Sequence, residues 1–335
     1  MTAMWRNRCS LVLRIVMRRP AKIGCRISYT GLGKGVHASC CVDTFIDLKP
    51  KGKEGTSYFD VLCSPTLYSG QEVKAIVKAQ EEKNPVFRFF IQYFDEKDEL
   101  DMCYGEKTAL KRGENEIIWE VPDTKGHAIY RLGICLTSED RLDGSIILKT
   151  LDWSNAPICY KMGRSMEMTP TLTPWTTTTA WLKTFVSSAD HFNPDYTVTF
   201  SICHEYANGV VATGTSDWDD YAVSSVITFS QQSLAGLVAR AKGHRQYYGA
   251  VFTEGVARIY RQKNEKRETL AEIPYDYQID QTYRLTFKVK GDCLELLVDD
   301  VPVVRAKDST YQCGQAGYVV DSGAILGDGF SVTRL

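Results

Sequence analysis

The sequence predicts an all-β protein made of two consecutive β-sandwich or jelly-roll modules. Three observations lead to this fold class: apolar and polar residues alternate along most segments, turn residues separate these segments at short intervals, and helical periodicity is scarce. A length of 335 residues suits two domains better than one, and a hydrophobic fraction of 44% is sufficient to build ordinary cores.

Alternation is clearest in residues 282–290, where the apolar residues would face a core and the residues between them would face water. The apolar residues are Tyr283, Leu285, Phe287 and Val289. Turn signals flank this segment and recur elsewhere, at Gly291-Asp292, Asp299-Asp300 and Asn208-Gly209. We expect the last of these turns to join residues 198–203 and 210–214 in a hairpin.

The domain boundary is predicted in residues 162–179. The stretch from Met168 to Thr179 holds two prolines and seven threonines, which is typical of an extended linker. We therefore predict a β-sandwich at residues 51–160, a linker at 161–174 and a jelly roll at 175–335.

The start of the chain has an unusual composition. Residues 1–42 contain no Asp or Glu, and five arginines lie within residues 1–19. In addition, Ile23-Gly-Cys-Arg-Ile27 resembles Leu132-Gly-Ile-Cys-Leu136, which is typical of a repeated strand. We expect residues 1–19 to be a poorly ordered or non-native start. We expect residues 20–50 to be a remnant of a preceding β-sandwich module in a truncated chain.

Composition and motifs exclude several functions. The formal net charge is −1, so nothing indicates a nucleic-acid or membrane partner. The eleven cysteines contain no CxxC pair, and their odd number favours a reduced, cytoplasmic compartment. No phosphate-binding loop, GxSxG or HExxH motif occurs, and His204-Glu205 lacks the second histidine because Asn208 stands in its place. We therefore predict no catalytic residues, no metal site and no cofactor.

Candidate ligand-binding residues cluster in the second module. Sugar sites combine an aromatic face, which packs on the apolar face of a sugar ring, with Arg and carboxylate groups for the hydroxyls. The residues that fit are Trp218, Asp219, Asp220, Arg240, Tyr247, Tyr248 and Arg258. The same pattern also fits a structural role, with Trp218 and Tyr247 in the core and Arg240 paired to Asp219 or Asp220.

Several segments of the second module resemble a concanavalin-A/laminin-G-like jelly roll. They are Gly214–Tyr221, Ala235–Arg240, Tyr247-Tyr248, Leu296–Asp300, Gly314–Tyr318 and Gly329–Val332. In the first module, Ser64–Gln71 and Leu151–Pro157 resemble a galactose-binding-like sandwich. The pairing is similar to the C-terminal region of bacterial ADP-ribosylglycohydrolase-family proteins, whose catalytic domain is a separate helical unit that binds magnesium.

The resemblance implies a non-catalytic, carbohydrate-binding accessory region of a larger protein. Its expected partners are a glycan or glycosylated target and a missing N-terminal catalytic domain. Two alternatives stay open: a jelly-roll glycoside hydrolase that uses acidic residues near Trp218, and a purely structural scaffold. Two carboxylates paired in an open cleft would favour the hydrolase, whereas an aromatic-lined shallow groove without them would favour binding.

Overall fold

The computed structural model describes residues 10–12, 21–47, 62–65, 67–95, 99–153, 156–162, 182, 184–195 and 198–335. These ranges contain 27 β-strands and no α-helix, which confirms the predicted all-β class. Burial alternates as predicted along residues 282–290, where the four apolar side chains are buried and the intervening ones are partly or fully exposed.

The first sandwich packs two sheets around one apolar core. Across sheet I the strands are β1 (Ser10–Val12), β3 (His37–Asp43), β11 (Ile129–Thr137), β7 (Val86–Phe94) and β8 (Leu100–Tyr104), with β9 (Thr108–Ala109) also paired to β7. Across sheet II they are β10 (Gly113–Glu120), β6 (Glu72–Ala79), β12 (Leu142–Trp153) and β2 (Ala21–Leu32). Two further strands, β4 (Phe45–Asp47) and β5 (Leu62–Pro65), pair with each other.

Strands β2 and β3 lie inside the first sandwich, because β2 pairs with β12 and β3 pairs with β11. This corrects the prediction that residues 20–50 belong to a preceding module. The two similar segments lie in β2 and β11, so they are two strands of one domain whose apolar patterns suit the same core. Of the start of the chain, only residues 10–12 are described, as a parallel strand beside β3.

The second sandwich is larger and also has two sheets. Across sheet III the strands are β15 (His191–Pro194), β16 (Phe200–His204), β27 (Gly323–Arg334), β18 (Tyr221–Phe229), β23 (Thr282–Lys290), β24 (Cys293–Val298) and β25 (Val301–Lys307), with β13 (Cys159–Lys161) also paired to β27. Across sheet IV they are β14 (Phe185–Ser187), β17 (Gly209–Thr213), β26 (Gln315–Asp321), β19 (Leu234–Ala241), β20 (Gln246–Thr253), β21 (Val256–Lys263) and β22 (Lys266–Pro274).

Two of the three predicted turns close hairpins. Gly291 has φ +55° between the paired strands β23 and β24, and Asp299 and Asp300 have φ +49° and +66° between β24 and β25. Asn208 also adopts a positive φ of +66°. However, β16 and β17 on either side of it belong to sheets III and IV, so this turn crosses between the sheets and the predicted hairpin is wrong.

The two sandwiches meet through buried aromatic side chains. Tyr68 of the first sandwich lies edge-on to Trp218, with ring centroids 5.0 Å apart. Its hydroxyl accepts a hydrogen bond from the Gly214 backbone N–H at 2.8 Å. Strand β13 continues the contact by pairing with β27 of sheet III. Residues 163–181 of the predicted linker region lie outside the described residues, so that linker stays a prediction.

Candidate functional site

The predicted ligand-binding residues occupy two separate regions of the second sandwich. Tyr247 and Arg258 lie on the outer face of sheet IV, which points away from sheet III. Tyr248 lies on the opposite, inner face in the main core, and Trp218 packs into the same core. Arg240, Asp219 and Asp220 lie at the end of the sandwich where loops meet. The fold therefore does not bring all seven side chains into one site.

Arg240 is a buried anchor between loops. Its side chain is 1% exposed and its guanidinium forms an ion pair with Asp220 at 2.9 Å. The guanidinium also donates hydrogen bonds to the carbonyl oxygens of Asp219, Gly291 and Tyr311 at 2.7–3.1 Å. A buried charge is tolerated when its donors are satisfied in this way. The pairing with Asp220 is the one that the structural interpretation predicts.

Trp218 and Tyr248 are also fully buried. Trp218 packs against Tyr68 at the junction of the sandwiches. Tyr248 donates a hydrogen bond to the Asp308 carboxylate, and its hydroxyl accepts one from the Tyr311 backbone N–H at 2.9 Å. Burial, together with the hydrogen bond to Asp308, raises the pKa of Tyr248 to about 12. Asp219 is exposed beside this region.

The outer face of sheet IV carries its own apolar cluster. Residues of β17, β19, β20, β21 and β26 contribute to it, and all of them are nearly or completely buried: Val210, Ala212, Leu234, Val238, Ala241, Tyr247, Val251, Tyr260 and Val319. Glycine provides the space for one ring, because a Cβ atom at Gly249 would lie 2.4 Å from Cε1 of Tyr260. The centre of this face is therefore packed rather than open.

A polar network borders this cluster. Arg267 of β22 forms an ion pair with Asp321 of β26 at 2.8 Å and donates to Oδ1 of Asn208 at 3.0 Å. Tyr247 donates to the same Asn208 oxygen at 3.0 Å, and the Arg267 guanidinium lies 4.8 Å from the centre of the Tyr260 ring. Burial raises the pKa of Tyr247 to about 12, so its hydroxyl stays a donor at neutral pH.

Arg258 and Glu272 form a second ion pair on the same face, with Nε 2.7 Å from Oε2. The side chains are 20% and 45% exposed, so both reach solvent. A β-bulge at Leu270-Ala271 makes the pair possible, because the register shifts there between β21 and β22. Both bulge residues pack against the main core, and the shift turns Glu272 toward the side of Arg258.

Three successive cross-strand pairs thus share this face: Arg258 with Glu272, Tyr260 with Thr269, and Gln262 with Arg267. We call these six residues the sheet IV strip. Four residues of rise along β21 give it a length of about 13 Å. Thr269 and Glu272 are exposed and both arginines are partly exposed, whereas Tyr260 and Gln262 are buried.

Sequence reasoning found Arg258 and Tyr247 and missed Glu272, Arg267, Asp321 and Asn208. The alternation of Arg258, Tyr260 and Gln262 along β21 was a usable signal, because it places all three on one face. Glu272 gave no such signal, since simple alternation in β22 puts it on the face opposite Arg267. Asn208 was interpreted only as a turn residue.

One pair of carboxylates lies across the junction of the sandwiches. Asp152, at the end of β12, is partly exposed, and Asp217, in the loop before β18, is exposed. Burial raises the pKa of the Asp152 carboxyl, a hydrogen bond from the Trp153 backbone lowers it, and the charge of Asp217 raises it again, so that the net pKa is above its ordinary value. A raised pKa is what a general acid requires.

Two further properties concern only the described part of the chain. No group of three or more His, Cys, Asp or Glu side chains there is arranged to hold a metal ion. No helix among the described ranges has the length and hydrophobicity needed to cross a membrane.

No protein-family model matches the chain, and no curated protein matches it. The chain is similar to the carbohydrate binding module CBM66 from Bacillus subtilis, with a TM-score of 0.42, 17% identity, and coverage of 45% of this chain and 96% of that one. It is also similar to a Bacillus subtilis protein of unknown function with a galectin-like fold, with a TM-score of 0.38, 9% identity, and coverage of 47% of this chain and 92% of that one. For sheep galectin-11 in complex with glycerol the TM-score is 0.29 and the identity 14%, with coverage of 34% of this chain and 89% of that one. None of these comparisons links the chain to the ADP-ribosylglycohydrolase family.

Proposed function

We propose that this chain is a non-catalytic glycan-binding protein that holds a sugar on the sheet IV strip. One observation carries the proposal: the Arg258 guanidinium and the Glu272 carboxylate reach solvent side by side on one face, at the edge of the packed apolar cluster that contains Tyr247 and Tyr260. Sugar hydroxyls both donate and accept hydrogen bonds, so a neighbouring cation and carboxylate can satisfy both roles.

The pair is held in place before any ligand arrives. Arg258 and Glu272 are cross-strand neighbours, and the bulge fixes their common orientation. Groups that are already ordered cost less conformational entropy on binding than free side chains do. Because a solvent-exposed ion pair stabilises a fold by only about 0–1 kcal/mol, a change at Arg258 should affect binding more than folding.

In this proposal most of the other predicted residues position or support the strip and do not contact the sugar. Tyr247 is a positioning residue, because its hydroxyl holds Asn208 beside Arg267. Arg240, Tyr248 and Trp218 support the loops and the core behind the strip. A direct ligand contact by Asp219 or Asp220 remains a prediction for the loop end of the sandwich.

The experiment is a glycan-array screen of the full chain, followed by calorimetry with the best neutral oligosaccharide. Arg258→Ala should weaken binding at least about tenfold, since a lost hydrogen bond to a charged group costs about 1.5–3 kcal/mol. Arg305→Ala is the matched control, because Arg305 also pairs with a cross-strand glutamate, Glu295, but in sheet III. The absence of any bound glycan, or equal losses in both variants, would contradict the proposal.

The larger protein is a further part of the proposal. The sequence resemblance supports a place for these sandwiches beside an ADP-ribosylglycohydrolase-type catalytic domain, in a cytoplasmic protein. An antibody raised against this chain should then detect a polypeptide clearly longer than 37.7 kDa in extracts of the source cells. A single band at the size of the chain would rule out such a parent.

The hydrolase alternative has one observation in its favour, the carboxylate pair Asp152 and Asp217 near Trp218. If the chain cleaves the glycan that it binds, reducing sugar should accumulate and Asp152→Asn should abolish the release, while Asp300→Asn should leave it unchanged. Intact glycan after prolonged incubation with the wild type would support binding without catalysis.

The scaffold alternative is favoured by the buried junction between Tyr68 and Trp218, which connects the two sandwiches. A scaffold predicts no ligand at all. The same array screen therefore separates it from the binding proposal.

A further inference from the structure

The outer face of sheet I, in the first sandwich, carries a different combination of residues. Along β7 the side chains alternate, with Phe87, Phe89 and Ile91 in the core and Arg88, Phe90 and Gln92 on the outer face. Tyr104 of the edge strand β8 stands directly opposite Phe90, and Met102 stands opposite Gln92. We call Arg88, Phe90, Gln92, Met102 and Tyr104 the sheet I platform.

Aromatic rings form the floor of this platform. The rings of Phe90 and Tyr104 have centroids 5.8 Å apart. The Phe90 ring packs against Gly133 of β11, where a Cβ atom would be 2.0 Å from its Cζ, so this packing requires a glycine at position 133. Tyr104 is 38% exposed and leaves a ring surface accessible to solvent.

Arg88 packs on these aromatic rings, and no acidic side chain in the described ranges pairs with it. Its guanidinium carbon is 3.9 Å from the centre of the Tyr104 ring. Its Nε is buried and forms no hydrogen bond, and among the described residues no carboxylate forms an ion pair with it. An arginine fork matches the geometry of a carboxylate, and a buried donor without a partner is costly. The described part of the site therefore holds a cation and no carboxylate paired with it.

We propose that the sheet I platform binds a saccharide that carries a carboxylate, such as a uronic or sialic acid. The aromatic floor accepts the apolar face of the sugar ring, Arg88 takes the carboxylate, and the Gln92 amide, on the same face, offers a donor and an acceptor to a hydroxyl. The missing counter-charge favours an acidic sugar over a neutral one. The site is separate from the sheet IV strip, so each proposal stands or falls independently.

The experiment measures binding of the full chain to trigalacturonate and to sialyllactose by calorimetry. The methyl ester of each sugar is the matched ligand, because esterification removes the charge and keeps the ring. We expect at least one of the two acidic sugars to bind, and its ester to bind about tenfold or more weakly. Added salt should lower the affinity for the acidic sugar. Arg88→Gln and Arg88→Lys should both lower the affinity for the acidic sugar about tenfold or more. Glutamine lacks the charge, and lysine keeps the charge but lacks the planar fork of donors.

Three controls separate the parts of the proposal. Arg112→Gln should bind as the wild type does, because Arg112 is an exposed arginine of the same sandwich that already pairs with Glu82. Tyr104→Ala should weaken binding of the acidic sugar, and a thermal melt of this variant should show an intact fold. Arg258→Ala, in the sheet IV strip, should leave this affinity unchanged.

Four results would overturn the proposal. The first is that neither acid binds. The second is that acid and ester bind equally well. The third is that Arg88→Gln binds the acid as tightly as the wild type does. The fourth is that poly-glutamate competes as strongly per carboxylate as the sugar, which would make the surface a site for acidic peptides instead.

Discussion

Two of the arginine–tyrosine stacks, one from each sandwich, have the same type of contact and differ in their surroundings. Arg267 lies 4.8 Å from the centre of the Tyr260 ring, and Arg88 lies 3.9 Å from the centre of the Tyr104 ring. Tyr260 is fully buried and Arg267 pairs with Asp321, whereas Tyr104 is 38% exposed and Arg88 has no ion pair among the described residues. Both stacks bring a guanidinium over a tyrosine ring. Only the stack in the second sandwich is complete, in the sense that its arginine also has an ion-pair partner among the described residues.

The difference shows what separates a structural stack from one that is ready for a ligand. A cation–π contact is worth about 0.5–2 kcal/mol and leaves most of the guanidinium donors unused. In the second sandwich Asp321, Asn208 and Gln262 take up those donors. In the first sandwich no side chain in the described ranges takes up the donors of Arg88 in this way. Arg240 is the most buried of the three arginines Arg88, Arg267 and Arg240, and its guanidinium forms an ion pair and three hydrogen bonds to backbone carbonyls.

The largest expected effect is at Arg240. Arg240→Ala should lower the free energy of unfolding by about 3–5 kcal/mol, because it removes a buried charge from an otherwise satisfied network and leaves Asp220 without its cation. Urea unfolding of the full chain measures the change. Arg245→Ala is the control, since its ion pair with Glu265 is exposed and should contribute little. Equal unfolding midpoints for the two variants would show that Arg240 is not an anchor.

A smaller effect is expected at the partner of the complete stack. Asp321→Asn keeps the shape of the side chain and removes the charge opposite Arg267, so it should cost about 1.5–3 kcal/mol. Asp300→Asn makes the same change at an exposed turn residue and should be nearly neutral. If Asp321→Asn melts as the wild type does, the stack in the second sandwich is no more complete than the one in the first.

The smallest effect is expected at the incomplete stack. Arg88→Gln should lower the free energy of unfolding by about 0.5–1 kcal/mol, because among the described residues Arg88 contributes the contact with a partly exposed ring and no ion pair. Thermal and urea unfolding without ligand test this. A loss of about 1.5 kcal/mol or more would mean that Arg88 has a structural role comparable to that of Arg267, and the contrast between the two sandwiches would disappear.

The sequence alone determined the local features of this protein. Alternation predicted the all-β class and the buried residues of β23, since each side chain on a strand faces opposite to its neighbour whatever the rest of the fold does. The turns at Gly291 and at Asp299-Asp300 were equally predictable, because their positive φ angles suit glycine and aspartate. Arg258 was identified from its residue type, because sugar sites combine arginine with aromatic and carboxylate groups.

Tertiary structure decided the features that depend on which strands meet. It placed β2 and β3 in the first sandwich and made the turn at Asn208 a crossing between sheets, because pairing depends on contacts distant in sequence. It put Trp218 against Tyr68 at the junction, although an aromatic residue beside acidic ones also fits a sugar site. It turned Glu272 toward Arg258 through one extra residue in β22. A single inserted residue reverses which face every later side chain occupies, and only the register against the neighbouring strand reveals it.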